Sequence, residues 1–492
     1  MNFEFALTGF RILDFEFALI GFRILNLLLP VFEFRTKAHM SAKVAFYTLG
    51  CKLNFSETST ISEQFLNRGF DIVDYNGTAD IYVINTCTVT DNADKECRQI
   101  IRRALRNNPE AYIIVTGCYA QLRPDEIVKI DGVDAVLGSN EKFKLFEHIN
   151  KFEKQKLSCI YVSPTEKLDE FNSSFSTDGN DRTRAFFKVQ DGCDYKCSFC
   201  TIPLARGKSR SAKPEEVVNE FKQLLGASFK EIILTGVNIG DYTYFFDSNR
   251  ELDLNPGLKQ DQEQAVDLYL LIKKMLSVEG DYRIRISSIE PNLLNDDILE
   301  LTANDSRLCN HFHIPLQSGS SKVLKLMQRR YNSNDYKSLI HKAVERIPNL
   351  AVGVDVIVGF PGETEEDFLE TYSLLRDLPI SYLHVFTYSE RASTKAVDMH
   401  EKVDYIERKK RNNMLRNLSE KKRHEFYQNM VGKELTALFE HEEHNGEMRG
   451  FTSNYVRIKA PYNSEFINKF VPVKIKEIGE NICTTEILLK QN

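Results

Sequence analysis

From residue 43 onward, short runs of β-branched and aromatic residues alternate with longer stretches of helical periodicity. Runs at 43–48 (KVAFYT), 81–85 (IYVIN), 112–116 (YIIVT) and 135–137 predict strands, with helices near 55–68 and 91–106 between them. Short apolar runs separated by helices fold as a parallel, doubly wound sheet. A polar stretch at 166–184 reads as a linker, after which strands are predicted at 185–189, 231–235, 283–288, 311–315, 352–358 and 382–387. Six strand-helix units suggest a partial (β/α)6 barrel, whose functional groups belong at the carboxyl ends of the strands. From Gly432 the pattern shortens to five strands at 435–439, 448–452, 455–460, 471–478 and 483–489, which suits a small OB-like β-barrel. The expected class is α/β: a doubly wound domain at 40–165, the linker, a partial barrel at 185–431 and the small β-barrel at 432–492.

Residues 1–39 stand apart. Segments 3–13 and 15–25 repeat one eleven-residue unit with a single change, Thr8 against Ile20. Charges at Glu4, Arg11, Asp14, Glu16 and Arg23 recur too often for a membrane span or the apolar core of a signal peptide. Met40 directly precedes the first strand, so translation is expected to begin there, with the repeated head not native or disordered.

Composition narrows the class. The 492 residues are 42% hydrophobic and 27% charged, as in a soluble multidomain protein of the cytoplasm, with no membrane association expected. A net charge of −6 argues mildly against nucleic-acid binding unless basic residues cluster locally. Ten cysteines are too few for a disulfide scaffold of this length, and their grouping points to metal.

Cys51, Cys87 and Cys118 each fall just beyond one of three predicted parallel strands, so they share the sheet edge where open α/β sheets bind ligands. Three unrelated buried cysteines are the bland alternative. Cys97, mid-helix, and the isolated Cys159, Cys309 and Cys483 read as structural. Cys193, Cys197 and Cys200 lie in one loop, QDGCDYKCSFC, spaced to hold three irons of a 4Fe-4S cube and leave the fourth open. Zinc competes, but it prefers four ligands in pairs, and no fourth Cys or His lies nearby in sequence. Unusual residues gather in the other rim loops, among them 235–238 (TGVN), 287–291 (SSIEP), 317–319 (QSG) and 359–363 (GFPGE).

CxxxCxxC with an aromatic before its last cysteine, here Phe199, resembles the radical S-adenosylmethionine superfamily, and with the upstream triplet the chain resembles the methylthiotransferases. The resemblance runs from about Lys43 to the C-terminus. It implies that Cys193, Cys197 and Cys200 hold the cluster that cleaves S-adenosylmethionine to a 5'-deoxyadenosyl radical, and that Cys51, Cys87 and Cys118 hold an auxiliary 4Fe-4S cluster that delivers sulfur. It also implies that Thr235, Gly236, Asn238, Ser288, Glu290, Gln317 and Asp355 lie near the S-adenosylmethionine, although Asp355 could instead be a hydrogen-bonded core group. Both clusters must then face one cavity.

At the substrate end, 408–423 carries eight Lys/Arg against one Glu on a predicted helix, either a solvated basic face or an RNA contact. The terminal β-barrel resembles a TRAM domain, and Tyr455, Arg457 and Lys459 alternate along a predicted strand as RNA contacts. The stretches TLGCKLN (48–54) and QDGC (190–193) resemble the branch acting on N6-threonylcarbamoyladenosine at position 37 of tRNA; relatives acting on isopentenyladenosine usually have Gln where this chain has Lys52. A relative that modifies a ribosomal-protein aspartate is the alternative, and a non-catalytic zinc and RNA-binding protein is another. Ser393 departs from the glycine many members carry in the YSxRxGT stretch. Partners implied are tRNA and an electron donor such as flavodoxin or ferredoxin, and the protein is expected to be a monomer.

Overall fold

The computed structural model describes residues 41–87, 91–154, 157–175, 183–246 and 265–488; the repeated head lies outside them. Strands Lys43–Thr48, Ile81–Thr86, Tyr112–Gly117 and Ala135–Leu137 form the predicted parallel sheet, extended at its two edges by Asp71–Val73 and Cys159–Tyr161. The three central strands beyond the first are buried along their whole length, which is why they read as unbroken apolar runs. Helix Asp91–Asn107 lays Cys97, Ile100, Ile101 and Ala104 on the sheet at helical spacing. Cys97 is therefore core, as its mid-helix position suggested.

All six barrel strands form: Arg184–Lys188, Glu231–Thr235, Arg283–Ile286, His311–His313, Ala351–Val358 and Tyr382–Thr387. They pair in parallel in chain order, with single bridges Ile284 to Leu308 and Ser288 to His313 joining the two halves. The linker is less featureless than its polarity implied. Its Ser174–Phe175 adds an antiparallel strand to the first barrel strand, and Ser174 Oγ meets Ser56 Oγ at 3.0 Å in a buried contact.

Strands Glu434–His444, Glu447–Thr452, Arg457–Pro461, Phe470–Ile478 and Cys483–Ile487 close into a five-stranded barrel around Phe439, Met448, Ile458, Val473 and Cys483. It docks on the amino ends of the barrel strands. There Glu231, fully buried, binds Arg285 Nε at 2.7 Å and Arg283 at 2.5 Å, while the two guanidiniums donate to the Phe451, Thr452 and Ser453 carbonyls. Among the described residues no helix is long and apolar enough to cross a membrane.

Candidate active site: two cysteine triplets and one cavity

Cys51 caps helix Lys52–Leu66, Cys118 opens helix Cys118–Leu122, and Cys87 follows strand Ile81–Thr86. Helix N-termini favour the thiolate form and anionic sulfur. Glycines bring the three loops together. A Cβ on Gly50 (φ +105°) would fall 2.6 Å from Cys87 Cβ, and one on Gly117 (φ +97°) would strike the Thr86 carbonyl at 2.3 Å, so no side chain fits at either position. Asn54 Nδ2 locks the arrangement by donating to the carbonyls of Leu49 (2.7 Å) and Thr86 (3.1 Å). Burial raises the Cys51 thiol, opposed by the Arg206 guanidinium and reinforced by Cys118.

Arg206 belongs to the barrel domain and joins the two halves of the site. It donates to Asn54 Oδ1 at 2.8 Å, to Glu57 at 2.8 and 3.2 Å, and to Asp191 Oδ1 at 3.0 Å. Lys142 (2.6 Å) and Lys188 (3.4 Å) also bind Glu57, and every member of this network is buried. Burial alone would raise the Glu57 carboxyl, but Arg206, Lys142 and Lys188 together hold it well below the carboxylate range. Asp191 leads directly into Gly192 and Cys193, so one ion cluster positions both cysteine triplets.

In the second triplet Arg329 donates to Cys197 Sγ at 3.1 Å and pairs with Glu290, while the Tyr195 and Ile202 amides point at the sulfurs of Cys193 and Cys200, both at 3.4 Å. Burial, and for Cys200 also the neighbouring Cys197, pushes Cys193 up to about 11 and Cys200 up to about 12. Raised thiols with amide and guanidinium donors aimed at sulfur suit a metal cluster, which takes them as thiolates and releases their protons. Gln190 ties this loop to the next rim loop, with Oε1 accepting from Asn238 N at 2.9 Å and Nε2 donating to the Gly192 carbonyl at 2.8 Å. A Cβ on Gly236 would lie 2.8 Å from that same Oε1.

Cys200, Phe199, Gln317, Asp355, Phe386 and Tyr388 line a cavity of about 230 Å³. Thr235 Oγ1, both amide atoms of Asn238 and the Tyr388 hydroxyl are buried without partners among the described residues. Orphaned buried polar atoms suit a ligand, and these fit the hydroxyls and amino group of a nucleoside amino acid; Tyr388 among them lines the cavity. Gln317 holds φ +67° at the rim, its amide on the Asp355 carbonyl. Ser288 bridges to His313 at the junction of the two half-sheets. Glu290 is occupied by Arg329, and Asp355 Oδ1 accepts from His313 Nε2 (2.7 Å) and His384 Nδ1 (3.2 Å). Burial alone would raise Asp355; the two imidazoles keep it well below the carboxylate range.

Lys52, immediately after Cys51, extends into the barrel and lies over the Phe186 ring, 5.9 Å from its centroid. Burial, with Arg285 and Arg184 nearby, lowers its ammonium to about 8, and Asp355 contributes to its field. Asp355 also lines the cavity beside Cys200.

Three details of the substrate side differ from expectation. Tyr455 precedes its strand with φ +65°, which turns its ring onto Phe451 (5.0 Å), His311 (4.6 Å) and Arg285 (4.9 Å) instead of outward in register with Arg457 and Lys459. Lys459 is paired with Glu447 at 2.8 Å. In the basic helix, now Tyr405–Gln428, Arg408, Arg411 and Lys422 are buried and bind Glu390, Glu363 and the Leu378 carbonyl, so they support the barrel. Arg423 of that helix, with Tyr382, His384, Tyr455 and Arg457, lines a second cleft of about 470 Å³.

Residues 187–375 match the Radical SAM superfamily, 43–138 the uncharacterized protein family UPF0004 and 428–488 the TRAM domain. The threonylcarbamoyladenosine tRNA methylthiotransferase MtaB of Bacillus subtilis is 41% identical over 442 residues, covering 89% of this chain and 94% of that one. The chain belongs to the radical SAM tRNA methylthiotransferase family. The enzyme of the same name from Aquifex aeolicus is 38% identical, covering 88% of this chain and all of its own. A tRNA-2-methylthio-N(6)-dimethylallyladenosine synthase from Clostridium tetani is 32% identical, covering 87% and 92%. The radical S-adenosylmethionine methyltransferase TsrM of Kitasatospora setae, solved with cobalamin and a 4Fe-4S cluster, shares the fold at TM-score 0.50 and 14% identity, covering 73% of this chain and 77% of that one. As a member of this methylthiotransferase family the chain is a transferase that uses S-adenosylmethionine and 4Fe-4S clusters.

Proposed function

We propose that the enzyme adds a methylthio group to C2 of N6-threonylcarbamoyladenosine at position 37 of tRNA, giving the 2-methylthio derivative. The observation that carries this reading is the buried bridge between the two triplets: Arg206 binds Asn54 and Glu57 beside Cys51 and Asp191 beside Cys193. The relatives named for threonylcarbamoyladenosine support the choice of base.

In this reading Cys193, Cys197 and Cys200 hold one cluster and Cys51, Cys87 and Cys118 the other. When bound, these groups and S-adenosylmethionine supply the electron, the sulfur, the methyl group and the hydrogen abstraction at carbon. The chain's own residues bind and align. Arg329 orients the Cys197 sulfur and pairs with Glu290 at the rim. Thr235, Asn238, Tyr388 and Gln317 offer donors and acceptors to the nucleoside and amino acid of S-adenosylmethionine. The last barrel strand turns Tyr382, His384 and Phe386 toward the opening, and Phe386 and the His384 side chain are more than one-third exposed. With Tyr455 and Arg457 they make a track of rings and cations on which single-stranded bases stack.

The enzyme is further proposed to act in the cytoplasm as a monomer, taking electrons from a flavodoxin or ferredoxin; size-exclusion chromatography and reduction assays test these points. The decisive experiment is mass spectrometry of nucleosides after incubating the anaerobically reconstituted protein with anticodon stem-loops carrying threonylcarbamoyladenosine or isopentenyladenosine. Methylthio product only on the former is expected; product only on the latter overturns the assignment.

A further inference from the structure

The cation that stands out in the barrel interior is Lys52. Arg283 and Arg285 share Glu231, Arg329 has Glu290, and Arg206 has Glu57 and Asp191. Among the described residues no ion pair and no hydrogen bond engages the Lys52 ammonium, which rests over Phe186. The two carboxylates whose fields reach it are already committed, Glu231 to two arginines and Asp355 to two histidines. Arg285 and Arg184 add to the positive field there. A half-buried cation with no internal counter-ion among the described residues is costly unless a ligand supplies one.

The histidines extend the pattern. Both rings direct a nitrogen at Asp355 Oδ1, so the hydrogen-bond network assigns the proton of His384 to Nδ1 and leaves Nε2 as an acceptor. The His384 side chain is 51% exposed and lines the second cleft.

We propose that Lys52 and His384 form a receptor for the threonyl end of the substrate's N6 substituent, Lys52 binding its carboxylate and His384 Nε2 accepting from its hydroxyl, so that charged substituents are chosen over uncharged alkyl ones. This rests on the functional reading above. In adenine, C2 and the carbon bearing N6 flank N1, so a base that presents C2 to the Cys51 loop brings its N6 substituent to the residue after Cys51. Backbone phosphates attach through the ribose on N9, at the far edge of the purine, and stay at the opening.

The test uses the full-length reconstituted protein and two anticodon stem-loops, one with threonylcarbamoyladenosine and one in which the threonyl carboxylate is a carboxamide. Affinity is read by fluorescence anisotropy and KM by mass spectrometry, with iron content as the folding control. Wild type should bind the carboxylate RNA roughly ten- to hundredfold better, the range of a charge-assisted hydrogen bond. Lys52→Gln should erase that preference by losing affinity for the carboxylate RNA alone, Lys52→Arg should keep most of it, and His384→Phe should weaken binding of both RNAs severalfold while leaving their ratio intact. Wild-type indifference to the carboxylate, or an equal loss on both RNAs in Lys52→Gln, overturns the receptor. Turnover by an enzyme indifferent to the carboxylate refutes the receptor alone, whereas absence of methylthio product on either RNA refutes the functional reading beneath it.

Discussion

Replacing Glu57 with glutamine is the sharpest perturbation of the network that joins the two cysteine triplets. The change keeps shape and removes one charge. Glu57 is fully buried and binds Lys142 at 2.6 Å, Arg206 at 2.8 and 3.2 Å and Lys188 at 3.4 Å. Asp191 then remains as the carboxylate for Lys188 (3.3 Å) and Arg206 (3.0 Å), and among the described residues Lys142 has no other within ion-pair distance. Removing one partner of a buried pair costs about 3–5 kcal/mol, and with three cations affected the upper end is expected. At about 2 °C per kcal/mol the melting temperature should fall by about 10 °C. Arg206 also supports Asn54, which holds the Leu49 and Thr86 carbonyls beside Cys51 and Cys87, so iron bound at the first triplet should fall more than iron at the second. The pH dependence has a definite sign. The folded Glu57 carboxyl is held below its ordinary value of 4.5, so its contribution is complete above that pH and is lost as pH falls. The stability gap between wild type and Glu57→Gln should therefore narrow from pH 6 toward about pH 3. Circular-dichroism melts at several pH values, with iron assays on each cysteine-triplet variant, check both effects. A melting temperature within about 2 °C of wild type together with full iron occupancy would refute the reasoning.

Ser393 has φ +70°, the region where glycine carries no penalty, so Ser393→Gly should raise stability by about 0.5–1 kcal/mol in urea denaturation. Arg329→Leu removes the donor to Cys197 and strands Glu290; 5'-deoxyadenosine formation should drop roughly tenfold or more, with no comparable change in RNA affinity. Tyr388→Phe deletes a hydroxyl that has no internal partner among the described residues, so stability should hold within about 0.5 kcal/mol while S-adenosylmethionine affinity weakens roughly threefold to tenfold in calorimetry.

The placement of the cysteines was legible because parallel strands share a direction: residues just past three strands fall at one edge, and a six-stranded repeat puts its loops on one rim. The ion cluster was not legible. Glu57, Lys142, Lys188, Asp191 and Arg206 are spread over 150 positions, and nothing in their local sequence marks them as partners. His313 and His384 could have been found, since HFH and YLHVFT alternate and place them on the strand face shared with Asp355. Edge strands Asp71–Val73 and Cys159–Tyr161 escaped because three partly exposed residues give too short a period. Tyr455 misled because strand alternation assumes extended backbone, and its positive φ breaks the register two residues before Arg457. The charge of 408–423 misled similarly: three of its cations are turned inward to bind the barrel.

The central claim is that two cysteine triplets hold separate clusters serving one cavity. Its most direct test is the combined Cys51→Ala, Cys87→Ala, Cys118→Ala variant, reconstituted anaerobically and assayed for iron, 5'-deoxyadenosine and methylthio product on a threonylcarbamoyladenosine stem-loop. The account predicts about half the wild-type iron, continued cleavage of S-adenosylmethionine and no sulfur in the RNA. Methylthio product at the wild-type level from that variant would contradict it.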